Sequence, residues 1–374
     1  MIEKGKISPF QMALIMYVTV VATAILYIPF VNAQQANRDL WLSPIWGSLS
    51  GFLIVFIMIK LYKIYPKKTL IQYSEIILGR ALGKIIGFIY LFFLLHDTAI
   101  AFREYSEFIE SSFLFKTPMV VIIGSIALIC AYAVHGGLEV VGRCALVFLP
   151  IVLFFYVMIY FLLIPDLNVN NMFPIMEDGL IPSIKGSIAP HAWLSQYSLM
   201  SFLIPFLTDE TKGMKWGIAS VFASVITMVF MNLGNLFLFG QSITNIPFPV
   251  FVAAKYISVG KFFEHVESIV ISVWVLGGFV QLSAFYYMLV LGTSQWLKLS
   301  SYKPIVLPIG YLIILFSIWS TSSLQEMLQS MGTTTPFYFL TIQLLIPILL
   351  ICMAIIKKQG HLGKNHMHKL KPKD

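Results

Sequence analysis

Charge is scarce in this sequence. Only 11% of its 374 residues are Asp, Glu, Lys or Arg, against roughly 25% in soluble domains, which excludes an ordinary water-solvated fold. Cysteine is scarcer still. Cys130, Cys144 and Cys352 are three in number and sit in or beside apolar runs, which excludes a disulfide framework and a thiolate zinc site. No phosphate-cradling glycine loop, metal-ligand cluster or nucleophile–base constellation is found, so neither a cofactor nor an enzymatic activity is expected. No secretory signal is evident, because the first apolar run lacks a small-residue cleavage site, and it is expected to stay in the mature chain.

What is abundant is apolar length. Hydrophobic residues make up 58% of the chain, and runs of about 20 recur throughout, each long enough to cross a hydrocarbon layer. The sequence therefore predicts an all-α polytopic membrane protein with about ten spans, at residues 8–31, 42–62, 83–111, 118–135, 141–164, 187–207, 215–240, 266–296, 304–320 and 336–356. The stretch "PFPVFVAAKYISVGKFF" is too interrupted for a span and reads as an interfacial or partly re-entrant helix. The net charge of +8 sits in the loops and implies no nucleic-acid partner. With the N-terminus inside, nineteen of the 25 Lys and Arg residues fall on the inner side. Only Arg38, Arg103, Lys116, Lys185, Lys255 and Lys261 are left outside. That asymmetry supports cytoplasmic N- and C-termini.

Ten spans divide into five and five. Because five is odd, two halves of one fold (about 8–164 and 187–356) would be inverted repeats within a single membrane domain, followed by a basic cytoplasmic tail at 357–374. Each half opens on an irregular span. "VVATAILYIP" puts Ala22, Thr23, Ala24 and Ile25 ahead of Pro29. An opened turn there would bare backbone amides for a ligand, while small residues also serve ordinary helix contacts. The sixth span, "KGSIAPHAWLSQYSLMSFLIP", carries Pro190, Ser195, Gln196, Ser198 and Ser201 before Pro205. Paired irregular spans point to a site at the membrane midplane.

Ionisable groups inside a span face protein or water. Asp97 lies mid-span without a local partner and shares a face with Glu104, seven residues on. It is a candidate for lining a cavity or titrating. Arg103 and Glu107 read as an i,i+4 pair near the outer surface, and Glu139 with Arg143 as an anchoring pair. In the eighth span Gly277 and Gly278 allow close helix approach, and Gln281 needs a partner. His361, His366 and His368 belong to a solvated basic tail near anionic lipid.

The segments "KISPFQMALIMYVTVVATAILYIPF", "LWLSPIWGSLSGFL", "YPKKTLIQYSEIILGRALGKIIGFIYL", "REYSEFI", "GLEVVGR" and "VWVLGGFVQLSAFYY" run in order over nearly the whole chain. They resemble the B subunits of bacterial endospore germinant receptors, a branch of the amino acid–polyamine–organocation transporter superfamily. The resemblance implies a five-plus-five fold with broken first and sixth helices, in the spore inner membrane, sensing a nutrient such as an amino acid with A and C subunits. It carries ligand contacts to Ala22, Thr23, Ala24, Ile25, Ser195 and Gln196, with the third and eighth spans, hence Asp97, Gly277 and Gln281, closing the pocket. Two departures stand out. Ala22 and Ala24 occupy positions where relatives often have glycine. Ser195-Gln196 and Gln281 occupy positions where relatives often have Gly-Glu and lysine, which implies a less charged site. The alternatives are a proton-coupled amino acid permease with Asp97 as the titrating group, and a scaffold whose pocket is vestigial.

Overall fold

The computed structural model describes residues 3–257 and 266–369. Fifteen α-helices follow in order. The first six are α1 (Pro9–Ala36), α2 (Ser43–Ile64), α3 (Leu70–Leu78), α4 (Arg80–Ser112), α5 (Met119–Gly136) and α6 (Leu138–Leu162). Two short ones, α7 (Ile181–Gly186) and α8 (Ile188–Ser195), lead into α9 (Gly213–Phe239), α10 (Pro249–Tyr256) and α11 (Val266–Trp296). The chain closes with α12 (Val306–Trp319), α13 (Leu324–Gly332), α14 (Thr335–Leu340) and α15 (Ile346–Lys369).

The sequence places α1 at the centre. Its apolar residues run around the whole circumference, and a helix of that kind is stable only when enclosed. It packs against α9, α11, α6 and α7, and nearly all of its membrane-length window is buried. Ser8 and Gln11 form a reciprocal cap at its start, with Pro9 in the first turn, which satisfies two orphan amides. The outer helices α5 and α6 keep most of their surface outside the bundle. Leu128, Ile129, Phe154 and Phe161 are exposed there, as expected of side chains that face lipid rather than water.

Among the described residues eight helices are long and apolar enough to cross a membrane, and nine if α12 and α13, bent by 90°, count as one span. The expected count of ten is not reached on that measure. The sixth segment is helical over 188–206, but it is divided into short pieces. The predicted boundaries otherwise coincide with helices. The predicted alternation of ends also appears in the contacts. Glu3 accepts from the amides of Gly5 and Leu138 and from the Tyr287 hydroxyl, and Ile7 pairs with Leu207. At the opposite end Arg38 Nη1 donates to the Phe173 carbonyl and Gln34 Nε2 to that of Thr244.

Two expectations need correction. First, α1 is not broken at Ala22–Ile25; it is wound from Pro9 to Ala36. Alanine is the best helix former and glycine costs about 1 kcal/mol more, so Ala22 and Ala24 remove the weakness that glycine would supply. Pro29 takes away only the amide that would have bonded the Ile25 carbonyl. Second, Arg103 and Glu107 do pair, at 2.5 Å, but each side chain is only 10% exposed. Phe108, Phe248, Phe251 and Trp274 pack together at the same end of the bundle. Residues 249–256, in the stretch expected to be an interrupted helix, form the short helix α10, which buries Val250, Phe251, Ala253 and Ala254 against α1, α9 and α11. Residues 258–263 of that stretch lie outside the described residues, as do the side chains of His361, His366 and His368. Glu139 and Arg143 form their exposed pair, at 3.3 Å.

Candidate functional site

The sixth segment leaves α-helical geometry at the predicted place. α8 ends at Ser195, and residues Gln196–Phe202 continue as a 3-10 helix. A 3-10 run of seven residues is long, and one inside a span marks strain or a hinge. Pro205 contributes, since it cannot bond the Ser201 carbonyl and disfavours α geometry just before it. With three residues per turn, successive side chains point to different neighbours. Ser195 Oγ donates to Gln343 Oε1 at 2.8 Å, Tyr197 OH meets Ser220 and Ser224 of α9, and Ser198 Oγ meets Tyr90 OH of α4. Gln196 is left facing inward.

There it lines an enclosed cavity with Thr23, Asp97, Ala101, Glu104, Trp193, Gln281, Phe285, Thr335 and Phe339. Each element supplies one helical face: Asp97, Ala101 and Glu104 on α4, Gln281 and Phe285 on α11, Thr335 and Phe339 on α14, Trp193 and Gln196 on the sixth segment. These spacings of three, four and seven put side chains on one stripe. The free space is about 10 Å³, room for roughly one water.

A polar network surrounds the cavity. Gln281 Nε2 donates to the Thr19 carbonyl at 2.9 Å and to Thr23 Oγ1 at 3.2 Å, and Trp193 Nε1 donates to Thr23 Oγ1 at 3.1 Å. The Tyr105 hydroxyl donates to Gln281 Oε1 at 3.3 Å. Asp97 is 2% exposed; it accepts from Gln343 Nε2 at 3.3 Å and also faces Gln196. Gln196 Oε1 is buried without a hydrogen-bond partner. Such an orphan is costly in a protein interior.

The structure thus brings Thr23, Asp97, Gln196 and Gln281 together, with Ser195 two hydrogen bonds from Asp97 through Gln343. It does not bring in Ala22, Ala24 or Ile25, which are buried on other faces of α1, nor Gly277, which faces Val152 of α6. The working glycine is its neighbour. A Cβ on Gly278 would stand 2.4 Å from the Tyr105 ring, so this position lets Tyr105 reach Gln281. Gly278→Ala is expected to cost about 1–3 kcal/mol by overpacking and to loosen the Gln281 network. Thermal unfolding of the purified protein checks it.

Sequence reasoning left out Glu104 as a site residue, and also Trp193, Phe285, Thr335, Phe339 and Gln343. The first three follow from Asp97, Gln196 and Gln281 by helical spacing. Gln343 sits in a π-helical turn, Thr341–Leu345, between α14 and α15. Its signal was a lone amide in an apolar run four residues before Pro347. That proline cannot bond the Gln343 carbonyl, and π-bulges gather at functional places. Among the described residues no group of three or more His, Cys, Asp or Glu is placed to hold a metal.

A second, open cavity of about 640 Å³ lies at the end of α1, between Phe30, Gln34 and Gln35 and the face of α13 formed by Leu324, Gln325, Leu328 and Gln329. Its floor reaches Gly332 and Thr333, two residues short of Thr335 in the inner cavity.

Comparison with known proteins places this architecture. Among solved structures the fold is shared with MhsT in complex with L-phenylalanine (TM-score 0.69, 13% identity, covering 93% of this chain and 89% of that one). It is shared too with Mhp1, a nucleobase-cation-symport-1 family transporter, in a closed conformation with bromovinylhydantoin bound (TM-score 0.67, 12% identity, 93% and 78%). The shared fold is the inverted-repeat fold of transporters. In sequence the chain is similar to spore germination protein KB of Bacillus subtilis (strain 168), 23% identical over 363 residues and 96% of each chain. It is likewise similar to spore germination protein YndE of the same organism, 26% identical over 362 residues, 95% of this chain and 98% of that one. The sequence model of the family described as "Spore germination protein" matches residues 6–325. A multi-pass membrane protein with the germinant receptor B-subunit pattern and a transporter fold, the chain belongs to the spore germination protein family.

Proposed function

We propose that this chain is the B subunit of a spore germinant receptor, that it binds a small nutrient (an amino acid or a similar solute) in the cavity between Thr23, Asp97, Gln196 and Gln281, and that A and C subunits read out the result in the spore inner membrane. The observation that carries the reading is the coincidence of that buried, incompletely bonded polar cavity with the point where the sixth segment changes from α to 3-10 geometry. The mechanism is a population shift. The closed cavity has room for about one water, so a nutrient fits only an arrangement in which the core segments have moved apart. A ligand that prefers that arrangement by about 1.4 kcal/mol shifts its population tenfold.

Thr23→Trp and Gln196→Trp are expected to abolish nutrient-triggered germination in a deletion strain complemented with each variant, while immunoblots of membranes show the protein at its ordinary level. Unchanged dose–response curves for both would count against the cavity.

A second reading has its own support. Asp97, linked through Gln343 to Ser195 across the bundle, suits a proton-coupled permease, and the structural neighbours are transporters. Uptake by proteoliposomes holding this chain alone, driven by a pH gradient and lost in Asp97→Asn, would favour it.

A further inference from the structure

A third cavity, of about 350 Å³, opens between α3 and the close of α11. Tyr287 of α11 donates to Glu3, so the last turns of α11 belong to the Glu3 end of the bundle, which the charge asymmetry of the sequence predicts to be cytoplasmic. The lining of this cavity is divided. Lys68, Gln72 and Glu75 face Gln295 and Lys298, while Ile76 adds an apolar wall that is itself 48% exposed.

Both walls are built by local chemistry. α3 is a short helix set apart from α2 and α4, with Thr69 and Gln72 forming a reciprocal cap at its start and Gly79, at φ +83°, ending it. It buries Leu70, Tyr73, Ser74 and Ile77 on one side and leaves Ile76 on the other, the pattern of a helix lying along a membrane surface. Past α11, Lys298 takes φ +60°. Its amide donates to the Gln295 carbonyl and that of Leu299 to the Ser294 carbonyl. That pair of bonds is a Schellman cap, and it fixes the backbone that carries Lys298. Thr69 Oγ1 donates to Gln295 Oε1, which ties the two walls together. The charges do not cancel. Lys298 Nζ lies 3.4 Å from Glu75 Oε2, but among the described residues no carboxylate stands within ion-pair distance of Lys68. Beside the cavity Trp296 Nε1 donates to the Lys84 carbonyl, and Lys84 Nζ sits 4.8 Å over the indole. An indole at this level suits the membrane–water interface.

We propose that this cavity takes the phosphate of an anionic phospholipid, held between Lys68 and Lys298, with the start of an acyl chain against Ile76. Two ammonium groups facing one carboxylate leave a net positive space, and basic pockets between membrane helices on the cytoplasmic side suit lipid head groups. Gln72 and Gln295 add amide donors for phosphate or glycerol oxygens. A free phosphate ion shares the head-group chemistry; the exposed Ile76 wall favours the lipid. Bound there, the head group joins α3 to the end of α11, across the same gap as the Thr69–Gln295 bond.

The test is thermal unfolding of the purified full chain in a neutral detergent, titrated with dioctanoyl phosphatidylglycerol, dioctanoyl phosphatidylcholine or inorganic phosphate at constant ionic strength. Phosphatidylglycerol is expected to raise the unfolding temperature and to saturate, and phosphatidylcholine, with the same chains, to do clearly less. A response to inorganic phosphate as well identifies the anion as a sufficient ligand; a response to the lipid alone makes the acyl chain necessary. Both outcomes support the site. Lys68→Gln with Lys298→Gln is expected to raise the half-effective lipid concentration by about fivefold for each lysine removed. If the pair of changes prevents folding, Lys68→Gln alone serves, since Lys68 has no ion pair to lose, and about a fivefold effect is expected. Lys68→Arg with Lys298→Arg should keep the response. So should Lys4→Gln with Lys303→Gln, two exposed lysines outside the cavity. Glu75→Gln frees Lys298 and should lower the half-effective concentration; an unchanged or raised value overturns the role given to Lys298. Equal stabilisation by the two lipids, a response indifferent to Lys68→Gln, or an equal loss in the Lys4 and Lys303 variant overturns the site. Stabilisation by inorganic phosphate but not by phosphatidylglycerol overturns the lipid assignment.

Discussion

Arg103→Ala is expected to destabilise the protein by about 3–5 kcal/mol, the range found when one partner of a buried ion pair is removed and the other charge is left unpaired. The pair qualifies by geometry. Arg103 Nε and Nη2 both donate to Glu107 Oε1, at 2.8 and 2.5 Å, and the residues are 9% and 8% exposed. With both side chains buried, water is poorly placed to replace the lost guanidinium. The double variant Arg103→Met with Glu107→Leu removes both charges and is expected to recover most of the loss, because a buried pair exchanged for apolar residues of similar size is often neutral. Denaturation midpoints of the three variants in detergent decide the matter. An Arg103→Ala protein as stable as wild type would show that the pair is solvated after all.

Gln343→Leu is expected to cost about 1–3 kcal/mol and to damage signalling as well. The substitution takes the donor from Asp97 and the acceptor from Ser195. Ser195 keeps its bond to the Ala192 carbonyl at 2.6 Å, but Asp97 is left as a buried acceptor short of a donor, and such a group costs its desolvation in full. A double-mutant cycle with Asp97→Leu separates this from simple loss of packing. If Gln343 acts through Asp97, the two changes together should cost clearly less than their sum, with a coupling of about 0.5–3 kcal/mol. Additive losses would mean that Gln343 is only a space-filler in α14–α15. Germination tested alongside should fall in Gln343→Leu, since the same hydrogen bonds tie the last membrane segment to the sixth.

Much of this arrangement can be read from the sequence, and the reasons for success and failure are local. The helices follow the apolar runs because lipid forces backbone groups to bond within their own segment. The departure at Ser195–Gln196 is legible because Pro205 and four serines (Ser187, Ser195, Ser198 and Ser201) leave the sixth segment little reason to stay α-helical. The continuity of α1 is not legible from Pro29 and the small residues alone. It depends on Ala22 and Ala24 being alanines rather than glycines, and on Gln281, 258 positions away from Thr23, turning its amide onto Thr19 and Thr23. The burial of Arg103 and Glu107 likewise depends on packing from elsewhere in the chain, which no periodicity within α4 announces. Gln343 needed the combination of a lone amide with Pro347, a signal visible only once a π turn is considered.

The central claim is that a nutrient sits in the cavity beside Gln196 and that seating it requires the core to open. Equilibrium binding of a nutrient that triggers germination to the purified wild-type chain and to Gln196→Trp, measured side by side by calorimetry, tests this most directly. The expected result is saturable binding to the wild type, weakened by about a hundredfold or more in the variant. Equal affinity in both would place the nutrient elsewhere and contradict the claim.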